Sequence, residues 1–251
     1  MRRRSCGASK MLVATLVASV TLSFATAAWA QDNDIDDGLD IVSETVYIPD
    51  PERARIDVTS RYTITNEEAT DYFATSYTQY YFDQFPVWLP IEATAVAATV
   101  DGVLAEVSLE VVDDGDVQVA TVALPSSLFY EESSVIEVTY VLAGGDARAS
   151  ALTRVNPSYV AFPAWVCCDD GQSSLRIELP LDFEVEIEGL SDQVDEREEG
   201  GRWVFEARDI EDVAAFYVVV FGRNDRGLVS EAVSVGPHEV TVSAWPDDPE
   251  W

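Results

Sequence analysis

Residues 55–66 read RIDVTSRYTITN, and this stretch decides the fold class. Its apolar side chains recur at every second position, so Ile56, Val58, Tyr62 and Ile64 fall on one face. The charged and hydroxyl side chains between them fall on the other. A period of two is that of an extended strand with one face buried and one face in water. We therefore predict a β-strand here, placed against a hydrophobic core.

The same alternation recurs along the rest of the chain. Candidate strands are Val42–Ile48, Phe73–Phe82, Ala95–Val100, Leu104–Val111, Val117–Leu124, Ser134–Leu142, Ser174–Leu179, Phe183–Ile187, Arg202–Glu206, Phe216–Phe221, Val229–Val233 and Glu239–Ala244. Turn-forming pairs such as Asp101-Gly102 and Gly200-Gly201 separate them, as hairpins require. No segment carries an apolar helical stripe longer than about two turns. These patterns predict an all-β protein, a large antiparallel β-sandwich.

Four segments describe the predicted domain organisation. They are a signal peptide over 1–30, an acidic leader over 31–41, a β-sandwich over 42–235, and a terminal strand with a connector over 236–251. One sandwich is favoured because no linker rich in Gly, Ser or Pro interrupts it, and two smaller ones meeting near Asn156-Pro157 are the alternative. The connector carries Trp245 and Trp251, whose rings are expected either to pack on a following domain or to fold back on the sandwich.

The amino terminus has the three parts of a secretory signal peptide. A basic segment, residues 2–10, precedes an uncharged stretch, residues 11–30, which ends in Ala28-Trp29-Ala30. We predict Sec-type export with cleavage after Ala30 and a secreted or cell-envelope location. An uncleaved anchor is the alternative, because about 20 residues just suffice to cross a bilayer.

The chain is strongly acidic. It has 46 Asp and Glu residues against 15 Lys and Arg residues, a formal charge of −31. Removing residues 1–30 leaves 11 basic residues, all Arg, against the same 46 acidic ones, a charge of −35. Such a chain repels phosphate backbones and anionic lipid, so binding to nucleic acid and to an anionic membrane surface is excluded. The composition is typical of halophilic or high-GC organisms.

Motifs for catalysis or metal binding are not found. His238 is the single histidine, and the stretch His238-Glu239-Val240-Thr241-Val242 has valine where a His-Glu-x-x-His zinc site needs its second ligand. Asp32, Asp34 and Asp36 have the spacing of a calcium loop, but the later ligand positions do not fit. A glycosidase-type pair of carboxylates gives no signal in a chain with so many acids. We predict no catalytic residue, no metal and no cofactor.

Aromatic residues crowd one stretch before Leu89-Pro90. They are Tyr77, Tyr80, Tyr81, Phe82, Phe85 and Trp88. Exposed rings of this kind bind sugars or dock proteins, and buried ones fill a sandwich core and cover its edge. Tyr77, Tyr80, Tyr81 and Trp88, together with Trp165, are the candidate binding residues.

Two adjacent cysteines form the second candidate site. Trp165-Val166-Cys167-Cys168-Asp169-Asp170-Gly171 contains the only cysteines of the predicted mature chain. In an oxidising compartment two free thiols are not expected to persist. The options are a strained disulfide between neighbours, two intermolecular bridges, or thiolate ligands for a soft metal, which the nearby acids disfavour.

Several segments carry a resemblance to a known family. Residues 56–66, the stretch Leu124-Pro125-Ser126-Ser127-Leu128 with residues 135–140, and residues 203–210 with 215–220 look like the amino-terminal β domain of aminopeptidase N-like (gluzincin) metallopeptidases. Residues 240–251 resemble the connector that enters the catalytic region in exported bacterial relatives. The resemblance covers about Val42 to Trp251 and implies a saddle-like sandwich. The family's exopeptidase motif and zinc site have no counterpart in this chain.

The sequence therefore predicts a secreted, non-catalytic β-sandwich module that sits ahead of a peptidase-like domain and helps to shape its substrate cleft. The alternative is a stand-alone extracellular protein that binds a glycan or a protein through the aromatic stretch or the cysteine loop. The predicted partner is thus a following peptidase-like domain or an extracellular protein.

Overall fold

A computed structural model describes residues 11–12, 38–73, 75–112, 117–144, 152–165, 172–188, 194–208, 210, 217–224, 229–235 and 238–244. These residues form strands throughout, apart from turns and one 3-10 turn at Pro51–Arg53. The strands are β1 (Met11–Leu12), β2 (Leu39–Asp50), β3 (Arg55–Asn66), β4 (Asp71–Tyr72), β5 (Tyr77–Thr78), β6 (Tyr80–Pro90), β7 (Ala93–Val100), β8 (Val103–Ala105), β9 (Val107–Val112), β10 (Val117–Leu128), β11 (Ser133–Ala143), β12 (Arg154–Asn156), β13 (Tyr159–Trp165), β14 (Gln172–Pro180), β15 (Glu184–Glu188), β16 (Val194–Glu199), β17 (Arg202–Ala207), β18 (Tyr217–Arg223), β19 (Val229–Val235) and β20 (His238–Ala244).

Three larger sheets build the domain. The largest has eight strands in the order β16-β17-β14-β2-β3-β11-β7-β8, and its strands are antiparallel except for the parallel pair β14 and β2. Two four-stranded sheets have the orders β1-β6-β10-β9 and β12-β13-β18-β15. β4 pairs with β5, and β19 pairs with β20, in two short ribbons. The prediction of an all-β antiparallel sandwich is confirmed.

The core lies between the eight-stranded sheet and the two four-stranded sheets. The inner face of β3 carries the four apolar residues predicted from the alternation, all of them buried. Tyr62 of β3 packs on Phe85 of β6 with ring centroids 5.3 Å apart, and Tyr47 of β2 stacks on Phe162 of β13 at 5.6 Å. The buried side chains of all three sheets form one continuous hydrophobic cluster. Each fully buried Leu, Ile or Phe contributes about 1.5–3 kcal/mol to such a core.

Two predicted strands differ from the structure. The predicted strand Leu104–Val111 is divided between β8 and β9. The predicted strand Phe73–Phe82 instead spans β5 of the β4–β5 hairpin and the start of β6, which runs on through Pro86 to Pro90. Proline is tolerated there because β6, beyond its two-residue pairing with β1, lies at a sheet edge among the described residues.

β12, β13 and β16 were not predicted at all. β13 is buried on both faces, so it lacks the alternation that the sequence search requires. Between β12 and β13, the side chain of Asn156 accepts hydrogen bonds from the backbone N–H groups of Ser158 and Tyr159 at 2.9 and 2.8 Å. Pro157 and Ser158 therefore form the two-residue turn of a hairpin.

Ion pairs lie along the outer face of β14, β16 and the end of β17. Arg176 contacts Glu178 at 2.7 Å, Arg197 contacts Glu199 at 3.1 Å, and a third pair joins Arg208 and Glu206 at 2.7 Å. Arg176 and then Arg197 lower the pKa of Glu199, while Arg208 is the main cause that lowers the pKa of Glu206. Ion pairs at a protein surface each add little to the free energy of unfolding.

We expect stability to rise with salt. The formal charge of −31 makes the folded chain repel itself, and we expect this repulsion to outweigh the surface ion pairs, which salt also weakens. The melting temperature should increase by about 5 °C or more between low salt and about 1 M sodium chloride, where the screening length is ~3 Å. Calorimetry at neutral pH measures this shift, and an unchanged melting temperature would show that repulsion does not limit stability.

Among the described residues, no helix is long and apolar enough to cross a membrane. The predicted signal segment and acidic leader, apart from residues 11–12, lie outside the described residues up to position 37. The predicted segment boundaries stay predictions.

Candidate functional site

Among the described residues, the most exposed aromatic side chains lie on the hairpin formed by β4 and β5, residues 71–73 and 75–78, here called the aromatic hairpin. Tyr72 is 83% exposed, Phe73 61% and Tyr77 59%. In the β4–β5 ribbon Tyr72 lies directly opposite Tyr77, and their ring centroids are 6.5 Å apart. Three rings exposed together on one short segment are unusual on a surface that is otherwise rich in carboxylates.

Local contacts hold the aromatic hairpin in shape. The backbone N–H of Phe73 donates to the carbonyl of Ser76 at 2.8 Å and closes the turn. The hydroxyl of Tyr80, at the start of β6, donates to the carboxylate of Asp71 at 3.1 Å. A ribbon of two residues per strand is marginal by itself, so these contacts and the tyrosine pair fix its conformation.

Asn66 anchors the segment that leads into the aromatic hairpin. It is the last residue of β3 and is fully buried. Its amide nitrogen donates to the carbonyls of Leu128 and Tyr80 at 2.9 and 3.4 Å, and its amide oxygen accepts the N–H of Glu68 at 2.8 Å. One side chain thus joins the end of β10, the start of β6 and the chain that enters the hairpin.

The structure separates the predicted binding residues. Tyr77 lies on the aromatic hairpin and Tyr80 braces it, whereas Tyr81 packs against Phe129 at 5.7 Å between ring centroids. Phe82 and Phe85 of the same stretch are buried in the core. Trp88 is half-buried on β6, and among the described residues its indole nitrogen has no hydrogen-bond partner.

Trp165, the fifth candidate, ends β13 beside a row of buried hydroxyls on the inner face of β2. Its backbone N–H donates to the hydroxyl of Tyr47 at 2.7 Å, and that hydroxyl lies 3.3 Å from the hydroxyl of Tyr140. Two further pairs continue the row: Ser43 with Ser173 at 3.0 Å and Thr45 with Ser60 at 3.2 Å. Cys167 and Cys168, two and three positions beyond Trp165, lie outside the described residues, so their oxidation stays a prediction.

The buried phenols serve structure rather than proton transfer. Burial raises the pKa of Tyr47 to about 12 from its ordinary value of 10.0, and burial also raises the pKa of Tyr140 well above that value. Both groups therefore stay protonated near neutral pH. Because the folded pKa of Tyr47 is the higher one, its contribution to stability is complete below pH 10 and is lost as the pH rises through about 12.

Tyr47→Phe tests the hydroxyl row. The substitution keeps the ring and removes the acceptor of the Trp165 N–H, so we expect the free energy of unfolding to fall by about 1–3 kcal/mol. Chemical denaturation measures it, with Tyr77→Phe as the matched control because that hydroxyl is exposed. A loss no greater than that of the control would mean that water replaces the phenol at no cost.

The surface depressions near β7 and β11 offer no reactive pair. One, of about 580 Å³, includes Arg61, Asp101 and Glu137 in its lining, and a smaller one of about 350 Å³ shares Asp101. The carboxylate of Asp101 accepts the Ser134 hydroxyl and the Val135 N–H at 3.0 and 2.9 Å, which holds the β7–β8 turn. Within the described ranges, no group of three or more His, Cys, Asp or Glu residues could hold a metal ion.

No family model and no curated protein matches the chain. Solved structures do. The chain is similar to M1 zinc metallopeptidases. The enzyme from Deinococcus radiodurans matches 82% of this chain with a TM-score of 0.46 and 14% identity, and a two-domain M1 zinc metallopeptidase variant bound to L-arginine matches 82% with 0.44 and 15%. Native leukotriene A4 hydrolase from Saccharomyces cerevisiae matches 83% with 0.46 and 13%.

These matches cover only part of the larger proteins. The chain spans 47% of the length of the first two structures and 32% of the yeast protein. These structures confirm the predicted resemblance of residues 42–251 as a likeness of fold. Identities of 13% to 15% show nothing beyond the fold.

Proposed function

We propose that this chain is a secreted, non-catalytic β-sandwich module that docks onto a peptidase-like domain through the aromatic hairpin. The observation that carries the proposal is the exposure of Tyr72, Phe73 and Tyr77 on one hairpin. Tyr80 bonds directly to this hairpin, and Asn66 holds the segment that leads into it. Rings held in place before binding lose little conformational entropy when a partner covers them, which is why aromatic residues dominate binding energies at interfaces.

The surroundings of the hairpin define the partner surface. Glu67 and Asp71, both exposed, lie on the same segment as the rings. A matching partner therefore offers an apolar depression for the rings and basic or hydrogen-bonding groups around it, since rim charges guide association and exclude wrong partners. The resemblance of residues 42–251 to an amino-terminal peptidase domain supports a peptidase-like domain as that partner.

A photo-crosslinking experiment tests the proposal. A photoreactive phenylalanine analogue replaces Tyr77 in one variant and Leu104 in the matched control, because Leu104 of β8 is an apolar residue that is 79% exposed in a different sheet. Both proteins are irradiated with a separately produced peptidase-like catalytic domain from the same organism. We expect an adduct from position 77 and none from position 104.

Other outcomes of that experiment have defined meanings. Equal adducts from both positions, or none from either, would contradict docking through the hairpin. Saturable binding of an oligosaccharide that blocks photolabelling at position 77 would replace the proposal with the glycan-binding alternative.

We also expect the purified chain to have no zinc-dependent peptidase activity. A single histidine cannot supply two imidazole ligands to one zinc ion, and His238 is the only one in the sequence. Hydrolysis of aminoacyl and peptide substrates is measured with added zinc and again with a chelator. Chelator-sensitive turnover together with stoichiometric bound zinc would overturn this prediction.

A further inference from the structure

Among the strands that the structure describes, β9 forms an open sheet edge on which apolar residues alternate. It is the terminal strand of its sheet and, among the described residues, pairs only with β10. Val107, Leu109 and Val111 lie on the inner face, opposite the buried residues of β10, yet Leu109 is 51% and Val111 58% exposed. The opposing sheet therefore does not cover this edge.

The other edges of the three larger sheets carry features that block pairing with another chain. β6 contains Pro86 and Pro90, β8 and β12 are three residues long, and β15 and β16 carry acidic side chains along their length. Prolines, short strands and charged residues are the usual means by which edges avoid further pairing. β9 has six residues, no proline and one charged residue, Glu110.

The backbone of β9 presents its hydrogen-bonding groups outward at its apolar positions. The N–H of Ala123 donates to the carbonyl of Glu106 at 3.0 Å, which fixes the phase of the ladder with β10. In an antiparallel pair, successive residues point their backbone groups alternately toward and away from the partner strand. The N–H and C=O groups of Val107, Leu109 and Val111 therefore face away from β10.

We propose that the occupant of this edge is a second copy of the same chain, paired antiparallel through β9 about a twofold axis at Leu109. This register places Leu109 opposite its own copy and Val107 opposite Val111, and it satisfies all the outward backbone groups with about six hydrogen bonds. It also places Glu110 opposite Ser108. An axis at Glu110 would instead bring two like charges face to face, which destabilises a pair of strands.

Two physical terms set the strength of this dimer. A single added strand pair covers less surface than a standard interface of about 1,600 Å², so association should be weak and reversible. The charge of −31 on each copy opposes association at low salt, and screening removes most of that penalty. The dimer uses no residue of the aromatic hairpin and does not depend on the proposed docking function.

Sedimentation equilibrium of the full chain tests the proposal, over about 1–200 µM protein at low salt and in about 0.5 M sodium chloride. We expect a monomer–dimer equilibrium that salt strengthens. Leu109→Lys should weaken it at least tenfold, because two lysines would meet at the axis. Leu104→Lys is the matched control and should leave it unchanged, since Leu104 lies outside β9.

A second variant should strengthen the dimer, which a general loss of folding cannot do. Ser108→Lys places a lysine opposite Glu110 of the other copy twice per dimer, and we expect tightening of threefold or more beyond Ser126→Lys, which changes the net charge equally. A chain that stays monomeric throughout, equal weakening by Leu109→Lys and Leu104→Lys, or no advantage of Ser108→Lys over its control would each overturn the proposal.

Discussion

Replacing Asn66 by aspartate is expected to lower the free energy of unfolding by about 3–5 kcal/mol, the cost of leaving a buried charge without a partner. The amide nitrogen of Asn66 donates to two carbonyl oxygens, those of Leu128 and Tyr80. Aspartate has almost the same shape but sets a carboxylate oxygen against both carbonyls. The side chain is fully buried, so water cannot reach the new charge.

Chemical denaturation at neutral pH measures this loss, and it should diminish as the pH is lowered and the new carboxyl takes up a proton. Gln84→Glu is the matched control, because it makes the same amide-to-acid change at a half-buried position of β6. We expect the control to change stability by less than about 1 kcal/mol. If the two variants are equally stable, Asn66 does not hold the hairpin base.

The sequence predicted strands well wherever one face of the strand is buried and the other is exposed to solvent. β3 and β11 alternate as a period of two requires, and both occur close to their predicted bounds. β13 was not predicted because both of its faces are covered, so its residues are apolar or small throughout and do not alternate with polar ones. A run of seven apolar or small residues carries no period, and only the tertiary packing decides its conformation.

The candidate site was predictable in part. The aromatic stretch was visible in the sequence, but its division into core and surface rings was not. Phe82 and Phe85 are both buried although they are three positions apart, because the pairing of β6 with β10 is irregular near Phe82. Tyr72 was missed because it follows a polar segment with no alternation.

Asn66 was missed for a different reason. Its main hydrogen-bond partner, the carbonyl of Leu128, is 62 positions away in the sequence. An asparagine at a strand end usually indicates a turn, and nothing local shows that its amide joins three separate chain segments. Long-range polar contacts of this kind emerge only from the fold.

The double variant Tyr72→Ala, Tyr77→Ala is expected to lower affinity for a peptidase-like domain by at least about 100-fold, because each buried ring at an interface centre is worth about 2 kcal/mol or more. Both side chains are exposed in the isolated chain, so the free energy of unfolding should change by less than about 1 kcal/mol.

The double variant Tyr72→Phe, Tyr77→Phe keeps the rings and should retain most of the affinity. Leu104→Ala, an exposed apolar residue on β8, is the matched control and should bind as the wild type does. Titration calorimetry of the four proteins measures affinity, and equal binding by the double alanine variant and the wild type would show that the aromatic hairpin is not the docking surface.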